Sequence, residues 1–342
     1  MRSAIIGMGV IGNVHAQILA ARGEEIVALC DVDTAAAEGA KEKWAKDAEI
    51  YTDYREMLAK AAPDVVHICT PHYLHADMVI DTLARNINVL CEKPLCIHTE
   101  DIDRILAAEA ASSAQLGVCH QNRYNAPSRF AKEYLTDKQI LSAHGSVVWH
   151  RDAAYYASAA WRGKWETEGG GSLINQALHT LDLTMWFCGD PEAVISVSHN
   201  LTMKEEIEVE DTIFARFEGD VPFTFLGTNI AAADLPVEIG IHLADHSQLT
   251  ILPQTILING VPVPSATVSQ KAYGKACYGS GHGSLIADFY DCVATGRHFP
   301  IDGREGARVI RLILAAYASR GVSACSVLTA IMKRLQKWST RM

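Results

Sequence analysis

The sequence predicts an α/β protein with two domains, a doubly wound parallel sheet followed by an α+β domain with a mostly antiparallel sheet. Three observations support this prediction. Short apolar runs alternate with helical patterns up to residue 121, a glycine-rich turn follows the first run, and longer strand-like segments without intervening helices begin near residue 140. We therefore expect one domain at residues 1–121 and a second at residues 122–342.

The β-α-β order of the first half is typical of parallel strands joined by helical crossovers. Its predicted strands cover residues 4–6, 26–30, 65–69, 88–91 and 116–119. Its predicted helices cover residues 15–22, 34–46, 54–60, 75–85 and 99–112. In the second half, strands are predicted at 140–150, 194–201, 212–217, 223–230, 237–243, 248–252 and 255–258, and helices at 173–187, 284–293 and 303–319.

The composition is that of a globular protein long enough for two domains. The chain has 342 residues, 49% of them hydrophobic and 20% charged. A formal charge of -10 argues against a nucleic-acid or anionic-membrane surface, which would need clustered Lys and Arg. From the residues that open the sequence we expect no secretory leader, and its apolar runs are shorter than a membrane-spanning segment. Nine cysteines without a CxxC pair indicate reduced thiols, so we expect a cytoplasmic protein.

A glycine-rich turn between the first strand and the first helix predicts a dinucleotide site. The turn comprises Gly7, Gly9, Val10, Ile11 and Gly12. The first glycine allows a tight turn, the second lets backbone amides approach a pyrophosphate, and the third lets the helix pack on the sheet. The helix N-terminus adds a favourable partial positive charge for the phosphates.

Asp31, at the end of the second predicted strand, favours NAD over NADP. A carboxylate in this place accepts hydrogen bonds from the ribose 2'-hydroxyl and repels a 2'-phosphate. The alternative is that Asp31 only caps the loop. Thr70 and Pro71 follow the third strand at its carboxyl end and are expected to line the nicotinamide-ribose side.

His75 is predicted to cap a helix or contact the cofactor. Together with His72 it could suggest zinc, but no third and fourth ligand with suitable spacing accompanies the pair. We therefore expect no metal site.

Glu92, Lys93 and Pro94 follow the fourth predicted strand, so Lys93 should project into the crevice that holds the nicotinamide, and we expect Glu92 and Lys93 to contact the cofactor. A lysine in such a half-closed place can hydrogen-bond a substrate hydroxyl or polarise a carbonyl. The alternative is a surface lysine paired with Glu92. Pro94 argues against this alternative, because it restricts Lys93 to extended geometry.

A second group of polar residues lies in the second domain, where three glycines at 169–171 precede a predicted helix. The glycines are expected to bring the backbone close to a ligand. Asn175 and His179 are four residues apart and should share one face of that helix. A histidine on a buried helix is often a core residue, but His179 could also accept a hydroxyl proton while a hydride leaves for nicotinamide C4.

These motifs, GMGVIG, EKP and GGGSLINQALHTLD in this order, resemble those of the Gfo/Idh/MocA oxidoreductase family. The resemblance continues to Gly281-His282-Gly283 and to 301–303, so it covers nearly the whole chain. It implies an N-terminal Rossmann domain, a C-terminal open-faced sheet, and a homodimer or homotetramer formed through that sheet. It also implies NAD(P)-dependent dehydrogenation or reduction of sugars, inositols or nucleotide sugars.

Carried over residue by residue, the resemblance places the catalytic lysine at Lys93 and the catalytic histidine at His179. The third position is commonly aspartate in the family and is Asn175 here. This departure argues against a polyol mechanism with a full Lys-Asp-His set. The Asn-Gln form, with Trp161-Arg162 ahead of the glycines, is similar to the branch that oxidises C3 of sugars, including nucleotide-sugar uronates.

The candidate substrate residues are Arg123, Tyr124, Trp161, Arg162, Asn175 and His179. A guanidinium can hold a carboxylate or phosphate through two parallel bonds, and Trp161 could stack on a sugar face. The alternatives are that one of the arginines pairs with a carboxylate of the domain interface, such as Glu166 or Glu168, and that Trp161 belongs to the core.

The function predicted from the sequence is NAD-dependent hydride transfer between a secondary hydroxyl, at C3 of a sugar or sugar derivative, and the nicotinamide. One alternative is redox-assisted glycoside cleavage through transient C3 oxidation, in which NAD is retained. Another is a non-catalytic NAD-binding sensor. The segment at 322–342 is predicted to be a helical extension without an assigned role.

Overall fold

A computed structural model describes residues 1–266, 272–274 and 279–319. The predicted extension at 322–342 lies outside these residues, as do Cys277 and Cys325. The other seven cysteines are buried and unpaired. None of the helices in the described part of the chain has both the length and the hydropathy of a membrane-spanning segment.

The first sheet is parallel and has six strands in the order β3-β2-β1-β4-β5-β6, the order of a dinucleotide-binding Rossmann sheet. Its strands are β1 (Arg2–Ile6), β2 (Glu25–Cys30), β3 (Glu49–Tyr51), β4 (Val65–Ile68), β5 (Asn88–Cys91) and β6 (Leu116–Val118). The helices are α1 (Val10–Arg22), α2 (Thr34–Trp44), α3 (Tyr54–Lys60), α4 (His75–Leu83) and α5 (Thr99–Ala111). The prediction of a doubly wound parallel sheet is confirmed.

Strand β3 was not predicted. It has three residues, of which only Tyr51 is buried, so it carries no apolar alternation that a sequence pattern could reveal. It pairs with β2 at the edge of the sheet. Helix α1 begins at Val10, five residues before the predicted start, because the glycine turn leads directly into it.

The second sheet has eight strands in the order β14-β13-β12-β11-β7-β10-β9-β8. They are β7 (Ile140–Val148), β8 (Ala193–His199), β9 (Thr212–Glu218), β10 (Phe223–Thr228), β11 (Glu238–Leu243), β12 (Gln248–Ile251), β13 (Ile256–Ile258) and β14 (Val261–Pro262). All neighbouring pairs are antiparallel except β7 and β10, which confirms the predicted, mostly antiparallel sheet.

The remaining helices are α6 (Ala126–Tyr134), α7 (Ala153–Ala157), α8 (Trp165–Glu168), α9 (Leu178–Cys188), α10 (Gly281–Thr295) and α11 (Gly303–Ala318). Helices α10 and α11 follow the second sheet in the chain but also pack on the first. The hydroxyl of Tyr290 lies 2.7 Å from Ser3 Oγ, and the Val118 N–H donates to the Ile301 carbonyl at 2.9 Å. The division at residue 121 stays a prediction, since the C-terminal helices join both sheets.

One face of the second sheet carries exposed apolar side chains. Ile195, Val197 and Phe214 are 66%, 43% and 53% exposed, and Val197 is directly opposite Phe214 in the ladder. We call these three residues the open-face patch. Contiguous exposed apolar surface is typical of a protein interface. The patch therefore supports the prediction that two or more copies assemble through this sheet.

We expect Phe214→Glu to dissociate the assembly, because it places a charge in the centre of the open-face patch. Light scattering after size exclusion should give a multiple of 37.2 kDa for the wild type and a single chain for the variant. Val261→Glu, which changes an exposed apolar residue at the sheet edge, is the matched control. A wild-type monomer would contradict the prediction.

Candidate active site

The glycine turn has the geometry that a dinucleotide requires. Gly7 has a φ of 91°, and a Cβ there would lie 2.6 Å from the Cys69 carbonyl oxygen. A Cβ at Gly12 would lie 1.9 Å from the Gly7 carbonyl oxygen, so the helix could not pack this closely on the turn. Beside Gly9 there is open space, and Val10 is 59% exposed at the start of α1. The residues thus fit a pyrophosphate at the N-terminus of α1.

Asp31 has a second role within this turn. Its Oδ2 accepts the Met8 N–H at 2.6 Å and its Oδ1 accepts the Asp33 N–H at 2.9 Å. The carboxylate therefore holds the glycine turn against the end of β2. Loop capping, the alternative considered for Asp31, is observed, and the side chain keeps partial exposure for a ribose contact.

His75 ties together the two loops that flank the crevice. Its Nδ1 lies 2.7 Å from the Pro94 carbonyl oxygen and its Nε2 lies 2.8 Å from that of Thr70. The imidazole is fully buried, so its role within the described residues is to position loops. Thr70 and Pro71 are partly exposed at the end of β4, where we expected them.

Lys93 reaches across to the second domain. Its Nζ donates to the Asn175 main-chain oxygen at 2.9 Å and lies 3.5 Å from Asn175 Oδ1. The peptide bond between Lys93 and Pro94 is cis. The two predicted catalytic residues thus meet, although one follows β5 and the other lies 82 positions later. The alternative of a surface ion pair with Glu92 does not describe this lysine.

His179 lies beside this contact and is uncharged at neutral pH. Burial lowers the pKa of the imidazole well below its usual 6.5, and the nearby Lys93 and His120 act in the same direction. The Gln121 side-chain amide donates to His179 Nε2 at 3.2 Å. Nε2 is therefore the unprotonated nitrogen, the form that a general base requires.

Asn175 and His179 do not lie on one continuous helix, so that prediction is wrong. Residues Ser172–Gln176 form a π-helical turn, and α9 begins only at Leu178. The Ala177 N–H donates to the carbonyl of Ser172, five residues earlier, at 2.9 Å. Such wide turns occur frequently at functional sites, and this one presents the Asn175 carbonyl to Lys93.

The glycines at 169–171 serve packing within the protein, and their approach to a ligand stays a prediction. A Cβ at Gly170 would lie 2.2 Å from the Tyr317 hydroxyl, and a Cβ at Gly171 would lie 1.9 Å from the Glu210 carbonyl oxygen. The Glu210 carboxylate accepts the Gly171 N–H at 2.8 Å. The absence of side chains thus allows the π turn to lie against β9 and α11.

A carboxylate that the sequence analysis did not place in the site lies next to Asn175. Glu168 is fully buried, and its Oε1 accepts the Asn175 side-chain amide. Burial raises the pKa of Glu168 to about 7. In the sequence, Glu168 directly precedes the three glycines. This position was the signal that its side chain would be buried near Asn175.

Arg162 and Trp161 lie near this carboxylate. The Arg162 guanidinium stacks between the Trp161 and Tyr155 rings, 4.5 Å from each centroid, and donates to the Tyr155 hydroxyl at 2.5 Å. That hydroxyl also accepts the Gln176 amide at 2.8 Å. Trp161 packs against His72, with 4.6 Å between the ring centroids. Tyr155 and Gln176 therefore belong to the same polar group as Arg162. No sequence signal indicated Tyr155, whereas Gln176 follows Asn175 in the sequence.

Arg123 and Tyr124 are placed elsewhere. Arg123 is 5% exposed and makes a two-pronged ion pair with Asp182, at 2.5 and 2.8 Å, and a third bond to Glu305 at 2.6 Å. The Tyr124 hydroxyl donates to Asp288 at 2.6 Å. Arg123 therefore forms an ion pair, as the alternative for the arginines expected, but its partners are Asp182 and Glu305 and not Glu166 or Glu168. The structure does not bring these two residues to Lys93.

Glu92, predicted to bind the cofactor, has its carboxylate inside the domain. Its Oε1 lies 3.0 Å from His15 Nε2 and 3.5 Å from His282 Nε2. Burial alone would raise the pKa of Glu92, but these two imidazoles hold it well below its usual range. Glu92 is therefore a carboxylate that accepts the His15 Nε2–H.

A series of hydrogen bonds continues from His15. Its Nδ1 lies 2.7 Å from His67 Nδ1, and His67 Nε2 lies 2.9 Å from the Tyr290 hydroxyl. A neutral His67 has one donor and one acceptor nitrogen, so it can bond to both neighbours at once. Burial lowers the pKa of His67 well below its usual 6.5, which agrees with a neutral ring. We call Glu92, His15, His67 and Tyr290 the buried polar chain.

One group of possible metal ligands exists among the described residues, and it overlaps this chain. Ligand atoms of His15, Glu92 and Cys119 lie within 4.8 Å of one another. Two of the three residues are already hydrogen-bonded together, and burial raises the pKa of the Cys119 thiol well above its usual range. A protonated thiol is a poor metal ligand. The predicted absence of metal stays a prediction.

The Rossmann sheet, the glycine turn and the Lys93, Asn175 and His179 group define a dinucleotide-binding α/β protein with a polar site between two domains. Comparison with known proteins identifies the class. A model described as an oxidoreductase family with an NAD-binding Rossmann fold matches residues 1–120, and a model of the same family's C-terminal domain matches residues 139–246. The chain belongs to the Gfo/Idh/MocA family, and its first domain is an NAD-binding Rossmann domain.

Individual relatives are dehydrogenases. Inositol 2-dehydrogenase from Salmonella typhimurium is 27% identical over 201 residues, 58% of this chain and 57% of the relative. D-glucoside 3-dehydrogenase from Escherichia coli is 29% identical over 210 residues, 58% of this chain and 56% of the relative. The chain thus spans a little over half the length of these curated relatives.

Among solved structures, the WlbA dehydrogenase from Bordetella pertussis in complex with NADH and UDP-GlcNAcA is similar over nearly the whole chain. The TM-score is 0.80 at 27% identity, covering 93% of this chain and 95% of that one.

We expect Asp31→Asn to weaken the preference for NAD over NADP. The amide keeps an acceptor for the Met8 N–H but removes the charge that repels a 2'-phosphate. Affinities measured by fluorescence titration should show NADP binding about tenfold tighter than in the wild type, roughly 1.4 kcal/mol. Asp137→Asn, at an exposed aspartate of the second domain, is the control. Unchanged NADP affinity would contradict the assignment.

We expect the buried polar chain to make the fold sensitive to acid. His67 has a lower pKa in the folded state than in the unfolded state, so its stabilisation is complete above about pH 6.5 and is lost as pH falls. Each such group lowers the free energy of unfolding by about 1.4 kcal/mol per pH unit below that value. Urea unfolding at pH 7.5, 6.5 and 5.5 should show a shallower pH slope for His67→Gln than for the wild type. His98→Gln, at an exposed histidine, should keep the wild-type slope.

Proposed function

We propose that this protein is an NAD-dependent dehydrogenase that transfers a hydride between a secondary hydroxyl carbon of a sugar or sugar derivative, at C3, and the nicotinamide. One observation carries the proposal. Lys93, which follows β5 at the carboxyl end of the strands of the NAD-binding sheet, donates to Asn175 beside the uncharged His179. A cation and a general base thus meet where a substrate hydroxyl would lie.

The roles follow from the chemistry of each group. His179 Nε2 has an available lone pair and accepts the hydroxyl proton, replacing its bond with the Gln121 amide. Lys93 Nζ donates to the reacting oxygen as it acquires carbonyl character, and Asn175 orients the neighbouring hydroxyl through its amide. The glycine turn and Asp31 would hold NAD⁺, which would supply the acceptor for the hydride of the carbinol carbon. In the oxidative direction the balance is R₂CHOH + NAD⁺ → R₂CO + NADH + H⁺.

The relatives support C3 of a sugar ring as the reacting carbon. One relative is named a D-glucoside 3-dehydrogenase, and the similar WlbA structure holds a nucleotide sugar with an acid group. In this chain the positively charged Arg162 donates to the Tyr155 hydroxyl, which lies 3.4 Å from Asn175 Nδ2, and its guanidinium stacks on the Trp161 and Tyr155 rings. A guanidinium in this place suits a carboxylate or phosphate on the substrate. Arg123 and Tyr124 lie outside the proposed substrate site, because their side chains bond to Asp182, Glu305 and Asp288.

We expect Lys93→Met to reduce kcat by more than a hundredfold and to leave NAD affinity within about threefold, because the ammonium acts on the reacting oxygen and not on the dinucleotide. The measurement is NADH formation over a panel of glycosides, uronates and nucleotide sugars, with NAD affinity determined separately. Lys164→Met, at an exposed lysine before α8, is the matched control.

The panel also separates the other functions. Turnover within about tenfold of the wild type in Lys93→Met would overturn the assignment of Lys93. Cleavage of a glycoside without net NADH would support redox-assisted cleavage, and NAD binding without turnover of any sugar would support a sensor.

A further inference from the structure

A buried carboxylate supports the contact between Lys93 and Asn175. Glu168 has no exposed surface, and its two oxygens accept the Asn175 side-chain amide and the Gly163 main-chain N–H. Its own carbonyl oxygen is 2.8 Å from His72 Nδ1. Three polar groups therefore follow one another: the Glu168 carboxyl group, the Asn175 amide and the Lys93 ammonium.

We propose that Glu168 is a positioning residue whose ionisation sets the orientation of the Asn175 amide and, through it, the place of the Lys93 ammonium. The inference rests on the proposed function, because it concerns the same site. As a carboxylate, Glu168 can only accept hydrogen bonds. It therefore fixes the Asn175 side chain with Nδ2 toward Glu168 and Oδ1 toward Lys93.

Protonation of Glu168 reverses this preference. A carboxylic acid carries one O–H donor, and on the oxygen that faces Asn175 this donor opposes the Nδ2–H. The amide can satisfy that donor only by turning its oxygen toward Glu168, which brings its N–H groups to the Lys93 ammonium. Two donors in contact repel each other, so Lys93 loses its contact with Asn175 Oδ1 and is held only by its bond to the Asn175 main-chain oxygen, which lets the ammonium move.

The charge of Glu168 changes within the physiological range. Burial raises the pKa of Glu168 to about 7, while the hydrogen bonds from Gly163 and Asn175 and the charge of Arg162 act in the opposite direction. His179 does not titrate there, because burial and Lys93 lower the pKa of its imidazole well below 6.5. A loss of activity just below pH 7 would therefore report Glu168 and not the general base.

Several ionisable groups surround Glu168 and act on its charge. The groups on neighbouring elements are His72, Tyr155, Tyr156, Arg162, Glu210 and Tyr317. Burial raises the pKa of each of the three tyrosines, so these remain neutral near pH 7. Arg162 favours the carboxylate and Glu210 opposes it. Glu210 bonds to the Gly171 N–H and to Tyr317, so its own titration would act at a different place.

The test is the pH dependence of kcat between pH 5.5 and 9 under saturating substrate. In the wild type, kcat should rise with pH through an ionisation near 7, with about one tenth of full activity one pH unit below it. Glu168→Gln, which keeps the shape but cannot ionise, should have lower kcat and no ionisation near 7. Glu166→Gln is the matched control, because Glu166 is exposed on the same short helix and should keep the wild-type profile.

A second variant should shift the apparent pKa of the kcat profile and not remove the ionisation. Asn175→Asp puts a carboxylate against Glu168, and like charges in contact make ionisation harder. The apparent pKa of the kcat profile should then move upward by at least one pH unit. This variant keeps the proposal testable even if Glu168→Gln does not fold.

A third measurement does not need activity. Infrared difference spectra of the wild type with NAD bound should show one carboxylic-acid band that disappears with a midpoint near pH 7, and Glu168→Gln should lack it. An unchanged ionisation in Glu168→Gln, or no titrating band in the wild type, would overturn the proposal. Failure to oxidise any sugar would instead count against the proposed function, and the infrared titration would still decide the state of Glu168.

Discussion

The buried carboxylate of Glu92 places three parts of this molecule relative to one another. It follows β5, accepts the Nε2–H of His15 from α1, and lies 3.5 Å from His282 at the start of α10. An unpaired carboxylate in a protein interior costs several kcal/mol, so these partners must remain in place for the fold to persist. Helix α1 after the glycine turn, the loop that carries Lys93 and helix α10 are thereby positioned by a single charge.

This constraint explains why the site between the two domains is already formed. Lys93 belongs to the NAD-binding domain, whereas Asn175 and His179 belong to the second. Their contact requires that the two sheets keep a defined relation. Helices α10 and α11 supply this relation, because both follow the second sheet in the chain and pack on the first. Tyr290 of α10 contacts Ser3, and Ile301, just before α11, bonds to Val118. The buried polar chain therefore supports the contact between Lys93 and Asn175 through the packing of α10 on the first sheet.

The sequence could predict those features that depend on neighbours along the chain. Apolar periodicity placed β5 and α3 at their observed bounds, and the spacing of Gly7, Gly9 and Gly12 indicated the dinucleotide turn. Features that depend on distant residues could not be predicted. Arg123 meets Glu305 across 182 positions, and the glycines at 169–171 are required by Tyr317 and the Glu210 main chain. The break at Ala177 has no local breaker residue, because the π turn is stabilised by tertiary contacts such as the bond from the Leu173 N–H to Glu210.

Asn175 shows how one neutral residue changes the electrostatics of the whole site. It meets Lys93 through two uncharged oxygens, where an aspartate would supply a negative charge. The Glu168 carboxyl group accepts the Asn175 side-chain amide, and burial raises its pKa to about 7, so it is only partly ionised at neutral pH. This arrangement is more positive than one with an aspartate at position 175. A substrate with an acidic group would then meet less negative charge beside Lys93, which is one physical reason to include acidic sugars in the proposed substrate class.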